Sequence, residues 1–515
     1  MFKGHPKGLI AAALANMGER FGFYIMMAIL TLFISSKFGL DEETTGYIYS
    51  AFYASIYLLA LVGGIIADKT NRYKQTIMWG LIVMALGYVL IAIPTPTPVP
   101  NKALFLTITC LGLFVIAFGN GLFKGNLQAL VGQMYDKPEY ADKRESGFQI
   151  FYMFINIGAL FAPLIAIGVR NWWLKFNNFD YNGKLPELCH KYIEKGGDMG
   201  EQMPTLLQYA NEATLSGEVT TSNLGTFCSE YLDVFNRGFH YAFAAAIVMM
   251  LVSFVIYVVN RKKFPDVNKK SASTIVSKEE ITMSAQEIRQ RIYALFAVFG
   301  VVIFFWVSFH QNGYSLTYFA RDYVDLDVIN LDLGFTTIKG AEIFQSVNPL
   351  FVVALTPIIM WFFGWLKQKK YEVSTPMKIA LGMGIAALAY VVLTVCSLAL
   401  PTKAELETMS PDAVREILLS PWIMVLLYFI LTVAELFISP LGLAFVSKVA
   451  PPHMQGLMQG MWLAATAVGN SLLFVGGWLY TNTPMWTTWI VFVVACGASM
   501  LVMLGMVKWL ERVTK

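Results

Sequence analysis

The sequence predicts an all-α membrane protein with twelve spanning helices, arranged as two bundles of six. Hydrophobic residues make up 56% of the 515-residue chain and charged residues only 14%, whereas soluble domains carry roughly 25% charged residues. Apolar runs of about 20 residues, the length that crosses a bilayer, recur along the whole chain. A basic, polar segment at 261–290 interrupts the series after the sixth run. These observations indicate a polytopic membrane protein with two halves.

The twelve runs are separated by short polar connections. In the first half they lie at 8–36, 44–67, 74–93, 103–123, 147–169 and 238–260, and in the second half at 291–320, 343–366, 375–400, 421–446, 454–481 and 487–508. The first run follows basic residues, but it has no clean signal-peptidase site and is longer than the apolar core of a signal peptide. We therefore expect a retained helix.

The charges of the connections predict the orientation. Basic residues cluster in 68–75, 261–270, 367–370 and the C-terminal segment, all on one side of the membrane if twelve runs are spanned. Short basic loops stay cytoplasmic, so we expect a multi-pass protein of the bacterial cytoplasmic (inner) membrane with both termini in the cytoplasm. The segment 171–236, in which acidic residues outnumber basic ones, is expected outside.

The outer segment 171–236 is consistent with either a small folded cap or a long loop. It contains Cys189 and Cys228. An oxidising compartment would allow a disulfide between them, although two free thiols fit the sequence equally. The cysteines and histidines lack the spacing of a metal site, so neither a metal nor a cofactor is assigned.

The predicted organisation is an N-terminal bundle at 1–260, a cytoplasmic linker at 261–290 and a C-terminal bundle at 291–515. Ser284 and Glu287 fit a capping box, so the seventh helix is expected to begin there. Six plus six helices joined by a cytoplasmic linker resemble the architecture of major facilitator transporters. The substrate sites of those transporters lie between the halves, near the bilayer midplane.

A small set of polar residues interrupts the apolar runs. Charges inside a membrane are costly and usually face a cavity or a partner. The set comprises Asn16, Glu19, Arg20, Lys124, His310, Gln311 and Glu435. The first three share one face of the first helix because they are spaced i, i+3 and i+4. Since the set draws on both halves, it predicts a central cavity.

Most of these residues also have a structural explanation. Glu19 and Arg20 could form a pair that only holds helices together, and Lys124 could extend to the cytoplasmic interface. His310 could be a neutral core histidine with a satisfied hydrogen bond. Glu435 is the hardest to explain in this way, because no basic residue lies close to it in the sequence.

Several segments resemble the signature sequences of the proton-dependent oligopeptide transporter family and occur in the same order. They are "ERFGFY", "GGIIADKTNRYK", "GNGLFKGN", "FYMFINIGAL", "FFWVSFHQNG", "SVNPL" and "AELFISPLGLAFVSKVAPPHMQGLMQGMW". The resemblance spans residues 16–462. It implies a monomer with a major facilitator fold that imports di- and tripeptides by proton symport through alternating access. Bacterial members often carry two extra helices between the halves, which the short polar linker predicts to be absent here.

The resemblance also implies functional residues. Those expected around the peptide are Arg20, Tyr24, Tyr57, Lys124, Asn156, Trp306, Asn348, Glu435 and Trp462. Glu435, with Asn348 as a neutral partner, would bind the peptide ammonium group. Lys124 and Arg20 would bind the carboxylate through charge-assisted hydrogen bonds, and the aromatic residues would line tolerant side-chain pockets.

The loop between the second and third helices carries a motif of the wider superfamily. The resemblance implies that Asp68 and Arg72 in this loop form helix-end contacts that gate the fold.

Three positions depart from the family pattern. Asn16 replaces a glutamate, Met27 replaces a second arginine, and His310 replaces the seventh-helix carboxylate that pairs with that arginine. Losing both members of the pair avoids stranding one buried charge. Because imidazole titrates near neutral pH, His310 is predicted to carry the coupled proton, with Glu19 or Glu435 contributing.

The leading hypothesis is a symporter whose partners are short peptides, protons and membrane lipid. One alternative keeps the fold and carries a modified peptide or another small zwitterion with altered proton coupling. Another is a peptide-binding sensor without concentrative transport. The sequence shows no zinc spacing, no plausible GxSxG elbow and no P-loop, so neither an enzyme nor an ATP-driven pump is indicated. Nucleic-acid binding is not indicated either, because the basic residues follow the loops.

Overall fold

The computed structural model describes residues 4–141, 143–265, 284–371, 373–451 and 454–513, and within them twelve helices can span a membrane. This confirms the predicted number. The spanning helices of the first half are Leu9–Phe38, Glu42–Thr70, Tyr73–Ala92, Lys102–Met134, Arg144–Phe176 and Leu224–Asn260. Those of the second half are Ala285–Phe309, Val347–Gln368, Thr375–Cys396, Pro421–Val449, Gln455–Ser471 continued by Phe474–Asn482, and Met485–Val513. The predicted linker at 261–290 lies largely outside the described residues.

The twelve helices form two bundles. The first six pack against one another and the last six do the same. The bundles meet where the second helix packs on the eleventh and where the fifth packs on the eighth. This is the predicted major facilitator architecture, and it leaves a central region between the bundles.

Local sequence explains several helix ends. The first helix ends at Gly39, whose φ of 58° lies in the left-handed region that glycine adopts without strain. The second begins after Asp41, whose carboxylate accepts a hydrogen bond from the backbone N–H of Thr44 at 2.6 Å. The predicted cap at Ser284 is confirmed, because its hydroxyl accepts from the N–H of Glu287 at 3.2 Å.

Residues 177–223 fold into a small domain, which we call the cap. It contains the helices Leu185–Glu194 and Met203–Ala213 and is closed by a bridge between Phe179 and Thr214. The predicted bounds of its neighbours were wrong, because the fifth and sixth helices continue into 171–236 beyond their apolar runs. We call the end of the molecule that carries the cap the capped end, and the opposite one, where both described chain ends lie, the terminal end.

The two cysteines near the cap are free thiols. Cys189 and Cys228 are fully buried and share a hydrogen bond. Burial, followed by contact with Cys228, raises the pKa of the Cys189 thiol well above its ordinary value. Of the two alternatives that the sequence left open, the structure therefore contains the reduced pair.

Three helices of the second half are interrupted. The seventh stops at Phe309, passes through a 3₁₀ turn at His310–Gly313 and resumes as Ser315–Tyr323. The eighth begins with a 3₁₀ turn at Ala341–Ser346, and the eleventh breaks between Ser471 and Phe474. A short hairpin, Leu331–Asp332 paired with Thr337–Ile338, and the helices Lys403–Leu406 and Pro411–Ile417 complete the capped end. A four-residue helix, Pro138–Ala141, connects the fourth and fifth spanning helices.

Glycines set the spacing of the second and fourth helices. A Cβ atom at Gly63 would lie 2.0 Å from the carbonyl oxygen of Gly121, and one at Gly121 would lie 2.4 Å from that of Leu59. The approach also allows the Asn126 side chain to donate to the Gly63 carbonyl at 3.1 Å. Small residues commonly allow such close helix contacts in membranes.

We predict that Gly63→Ala destabilises the protein by about 1–3 kcal/mol, because backbone on the facing helix cannot move aside cheaply. Gly64→Ala is the matched control, since a Cβ there meets nothing within 4 Å and the gain in helix propensity is the same. Thermal unfolding in detergent measures both variants. Equal melting temperatures would contradict the packing argument.

Candidate functional site

The breaks in the seventh and eleventh helices lie side by side in the centre of the molecule. Gln311, in the first break, donates a hydrogen bond to the carbonyl of Leu473, in the second, at 3.2 Å. His310 and Asn470 come from the same two breaks and also contact each other. Irregular backbone at membrane depth is tolerated where it is buried in protein or lines a cavity, and it often marks a binding site.

Glu19 and Arg20 form a buried ion pair on the first helix. The guanidinium donates to both carboxylate oxygens at 2.5 Å. Asn120 of the fourth helix donates to the same carboxylate at 2.9 Å, and the guanidinium lies 4.5 Å from the ring centre of Phe23. Arg20 is therefore a compensated charge. Sequence reasoning missed Asn120, although a lone amide in the apolar run "FGNGLFK" was an available signal.

Lys124 is a cation without a carboxylate partner within the described residues. Its ammonium group lies 4.8 Å from the ring centre of Tyr57, and the residue is half-buried. Arg20 and Glu19 act on it electrostatically in opposite directions. Because its helix continues to Met134, Lys124 lies well inside the bundle and away from the helix end. This position argues against the alternative of a side chain that extends to the membrane surface.

Glu435 is the corresponding anion in the second half. Asn348 donates to its carboxylate at 2.9 Å and also to the hydroxyl of Thr432 at 2.9 Å. No cation pairs with Glu435 in the part of the chain that the structure describes. Its charge acts electrostatically on three tyrosines of the first half, so it lies near the other bundle: Tyr24, Tyr57 and Tyr152.

His310 lies among aromatic rings and within the electrostatic reach of Lys124. Its Nδ1 atom is 2.5 Å from the amide oxygen of Asn470. The ring of Trp306 stacks on it at 4.9 Å, and that of Tyr53 lies 4.6 Å away. Lys124 acts on it electrostatically from the fourth helix. The residue is 5% exposed, so the position combines burial with an ionisable ring.

The remaining predicted peptide contacts fall around this centre. Asn156 is buried and donates to the backbone carbonyl of Tyr152 at 3.0 Å. Trp462 is buried with its ring 6.2 Å from that of Phe299. The indole N–H of Trp306 has no hydrogen-bond partner within the described residues. The donor is fully buried in this conformation, so a ligand could reach it only if the side chains around it moved.

The predicted gating residues Asp68 and Arg72 lie elsewhere. Both are exposed at the junction of the second and third helices, toward the terminal end. Asp68 accepts a hydrogen bond from the hydroxyl of Tyr73, and the backbone of Arg72 starts the third helix. The contact of Asp68 lies within one half of the molecule, and a gating role for the two residues stays a prediction.

Neutral hydrogen bonds join the halves above the site, toward the capped end. Thr31 donates to the carbonyl of Gly313 and accepts, through its own carbonyl, from the hydroxyl of Tyr318, both at 3.1 Å. Gln345 donates to the carbonyl of Ala28 at 3.1 Å. These bonds occupy the region next to Met27, where the family pattern places a charged arginine.

A fully buried ion pair reinforces this closure. Arg170 of the fifth helix pairs with Glu342, which precedes the eighth helix. The guanidinium also lies 4.0 Å from the ring centre of Tyr181 in the cap. Sequence reasoning did not find this pair because its members are far apart in the chain.

A second charge cluster surrounds a cavity of about 270 Å³ at the capped end. Arg321 pairs with Glu42 at 2.9 Å, and Lys403 pairs with the same carboxylate. Burial opposes ionisation of Glu187, but Lys403, Lys191 and Arg321 outweigh it and lower the pKa of Glu187 to about 2. Its stabilising charge is therefore complete above pH 4.5 and is lost only as the pH falls toward 2.

The cap spans the two halves at its rim. Lys191 of the cap pairs with Glu407 of the second half at 2.7 Å, and Glu212 pairs with Arg415 at 2.6 Å. The capped end is thus closed by neutral bonds, a buried pair and a charged rim.

Comparison with known proteins gives a consistent result. The sequence profile of the POT family matches residues 74–278 and 265–487. The peptide transporter YePEPT of Yersinia enterocolitica is 28% identical over 91% of this chain and 87% of its own length. The dipeptide and tripeptide permease B of Shigella dysenteriae is 27% identical over 98% of this chain and 96% of its own.

Solved structures share the fold. A peptide transporter POT in complex with sulfate covers 100% of this chain and 96% of its own, with 25% identity and a TM-score of 0.71. A POT family transporter in complex with 5-aminolevulinic acid covers 100% and 98%, with 21% identity and a TM-score of 0.70. The likeness therefore extends over both bundles.

We predict that Glu342→Gln destabilises the protein by about 3–5 kcal/mol, because it leaves the Arg170 charge buried and unpaired. Replacing both residues with methionine should recover most of the loss. The control is Asp332→Asn, which breaks the exposed Lys175–Asp332 pair of 3.0 Å and should change the stability far less, because solvent screens exposed pairs.

Thermal unfolding in detergent measures all three variants. A Glu342→Gln variant as stable as the control, or a double variant weaker than the single one, would contradict the assignment of a buried pair.

Proposed function

The chain belongs to the POT family and is a multi-pass membrane transporter rather than an enzyme, and we propose that it imports di- and tripeptides together with protons by alternating access. The observation that carries the proposal is the pair of uncompensated charges in the central site. Lys124 belongs to the first half and Glu435 to the second, and both act on Tyr57. A peptide that brings one positive and one negative end would satisfy both.

The binding mode follows from these charges. The peptide carboxylate is placed at Lys124 and the ammonium group at Glu435, with Asn348 holding the carboxylate of Glu435 in position. Arg20 is already paired with Glu19. It would therefore act on the peptide carboxylate mainly through its electrostatic potential and less through a direct hydrogen bond. The amide and aromatic residues around the centre, among them Tyr24, Trp306 and Asn156, would contact the peptide between its ends.

Bound peptide would also link the halves. With its ends on opposite bundles, it would draw them together at the centre, whereas the capped end is closed by contacts that must break for entry from that side. Neutralising Lys124 and Glu435 would offset the cost of burying them during this change. We place the capped end outside and both termini in the cytoplasm of a bacterial cell, and we propose a monomer as the transporting unit.

We propose that His310 carries the coupled proton. It occupies a break in the seventh helix, next to the ring of Tyr57 at 6.5 Å and within the field of Lys124. Among the described residues, no carboxylate acts on His310. A proton bound to its ring would therefore not be held by a neighbouring negative charge and could be released again. Asp68 and Arg72 would act in closing the terminal end.

A second candidate cargo is a modified peptide or another small zwitterion. Met27 is buried beside the closure, so the site has one anion anchor fewer than the family pattern. A solved POT family transporter has been obtained in complex with 5-aminolevulinic acid, which also carries an amine and a carboxylate. The two-charge argument applies to such a ligand, and a competition assay against dialanine separates the two cargoes.

We predict that Lys124 recognises the carboxylate of the peptide and that Glu435 recognises its ammonium group. Wild-type protein in proteoliposomes should take up dialanine and reject both N-acetyl-dialanine and dialanine amide. Glu435→Gln should weaken binding of dialanine by about 10–100-fold and lose most of the penalty for N-acetylation, because charged hydrogen bonds contribute about 1.5–3 kcal/mol. Lys124→Gln should weaken dialanine binding to a similar extent and lose most of the penalty for amidation of the peptide carboxylate.

Lys102→Gln is the matched control, because it removes an exposed lysine at the start of the fourth helix. Two variants with identical selectivity, or a wild type indifferent to blocked ends, would overturn the two-charge model. Binding without any gradient-driven accumulation would favour the sensor.

We predict that His310→Gln separates exchange from coupling. The variant should still exchange labelled for unlabelled dialanine across the membrane but fail to accumulate it when an inward proton gradient is imposed. His5→Gln, which changes a half-buried histidine bonded to Tyr135, serves as the control. Full gradient-driven accumulation by His310→Gln would exclude His310 as the proton carrier.

A further inference from the structure

Asn470 is the side chain that contacts His310 most directly, and neither the sequence motifs nor the proposed function uses it. The residue is fully buried at the end of Gln455–Ser471, immediately before the break in the eleventh helix. The hydrogen bond from Gln311 to Leu473 ties this break to the one that contains His310. His310 and Asn470 therefore lie in two helix breaks that are bonded to each other.

The contact uses one nitrogen of the imidazole ring. Nδ1 of His310 is 2.5 Å from the amide oxygen of Asn470. An amide oxygen only accepts hydrogen bonds, so this arrangement requires a proton on Nδ1. The amide nitrogen of Asn470 is buried and has no partner within the described residues. Nε2 has no partner within the described residues and is not among the fully buried atoms.

His240 shows the contrasting arrangement. Its Nδ1 atom bonds the backbone carbonyl of Ile91 at 2.8 Å, while its Nε2 atom is fully buried and unpartnered. A histidine held in this way has no open nitrogen. His310 differs from His240 because its Nε2 atom is not among the fully buried, unpartnered atoms of the described residues.

We propose that Asn470 is a positioning residue which holds Nδ1–H of His310, so that Nε2 is the nitrogen that exchanges the coupled proton. The inference rests on the proposed function, in which His310 carries that proton. In neutral imidazole one nitrogen donates, and in imidazolium both do. An amide oxygen facing Nδ1 suits both forms, so gain and loss of a proton at Nε2 need no rotation of either side chain.

The surroundings of the ring are consistent with this role. The charged and titratable groups that face it from other helices are Lys124, Tyr53 and Tyr57. Trp306 and Phe309 close the sides. Asn470 is neutral, so it orients the ring without adding a negative charge that would trap the proton.

The test combines nitrogen-15 spectroscopy with transport. The chain has five histidines, so protein labelled at histidine gives few signals, and the signal lost in His310→Gln identifies His310. Wild-type protein in detergent should show neutral His310 with the proton on Nδ1. Asn470→Leu, which removes the acceptor, should abolish that preference and slow gradient-driven uptake while leaving peptide exchange intact.

The second variant in the test is Asn470→Asp, which keeps the size and shape of the side chain. Its carboxylate also accepts from Nδ1–H but stabilises the imidazolium, so the pH profile of uptake should move upward by about 1–3 units. A merely structural role would not move the profile. A proton on Nε2 in the wild type, or a profile unchanged in Asn470→Asp, would overturn the proposal.

The two proposals fail in different ways. The spectrum is measured without transport, so it decides the tautomer even if the wild type does not accumulate peptide. Absence of gradient-driven uptake with an Nδ1–H signal would sink the proposed coupling, whereas coupled uptake with an Nε2–H signal would sink only the role of Asn470.

Discussion

An unpaired charge inside a membrane protein is tolerated only beside water or a partner, and this constraint organises the centre of the molecule. Lys124 and Glu435 lie on opposite bundles without counter-ions among the described residues. Desolvating either one alone would cost several kcal/mol, which a rigid closed bundle would have to offset permanently. A cavity that accepts a zwitterion removes the cost only while the ligand is bound. Substrate recognition and closure of the site then become the same event.

Unlike the two central charges, the buried charges at the capped end have partners. At the capped end, Arg170 is paired with Glu342, and Arg321 and Lys403 share Glu42. Glu187 lies beside Arg321 and Lys403, and these cations with Lys191 lower its pKa to about 2. Its carboxylate therefore stays ionised between about pH 5 and 8.

Met27 of the first half and His310 of the second stand where the family pattern has a charged pair. A cross-bundle pair at these positions would bind the halves electrostatically. Here Thr31, Gly313 and Tyr318 join the halves with neutral bonds, and the charged pair of Arg170 with Glu342 lies beside the cap. In the proposed mechanism, the contacts that join the halves are therefore separate from the residue that carries the proton.

Hydropathy predicted the twelve helices because each apolar run must cross the same thickness of hydrocarbon. It could not predict the extension of the sixth helix to Leu224, since residues there pack against the cap and not against lipid. Glu19 and Arg20 were expected on one face, with a structural pair as one alternative, and the structure contains that pair. The sequence could not decide it, because neighbours in sequence diverge around a helix and only long side chains bring them together. Asn470 was missed because one amide in the small-residue run "ATAVGNS" is typical of close helix packing. Pairs such as Arg170 with Glu342 depend on how the two halves meet, which no local pattern encodes.

The central claim is that one neutral peptide and a proton cross together through a site built on two opposed charges. Its most direct test is the current evoked by a pulse of dialanine on proteoliposomes adsorbed to a solid-supported membrane. The account predicts an inward positive charge displacement that grows as the external pH falls and disappears in His310→Gln. Peptide uptake by the same vesicles without any charge displacement would contradict it.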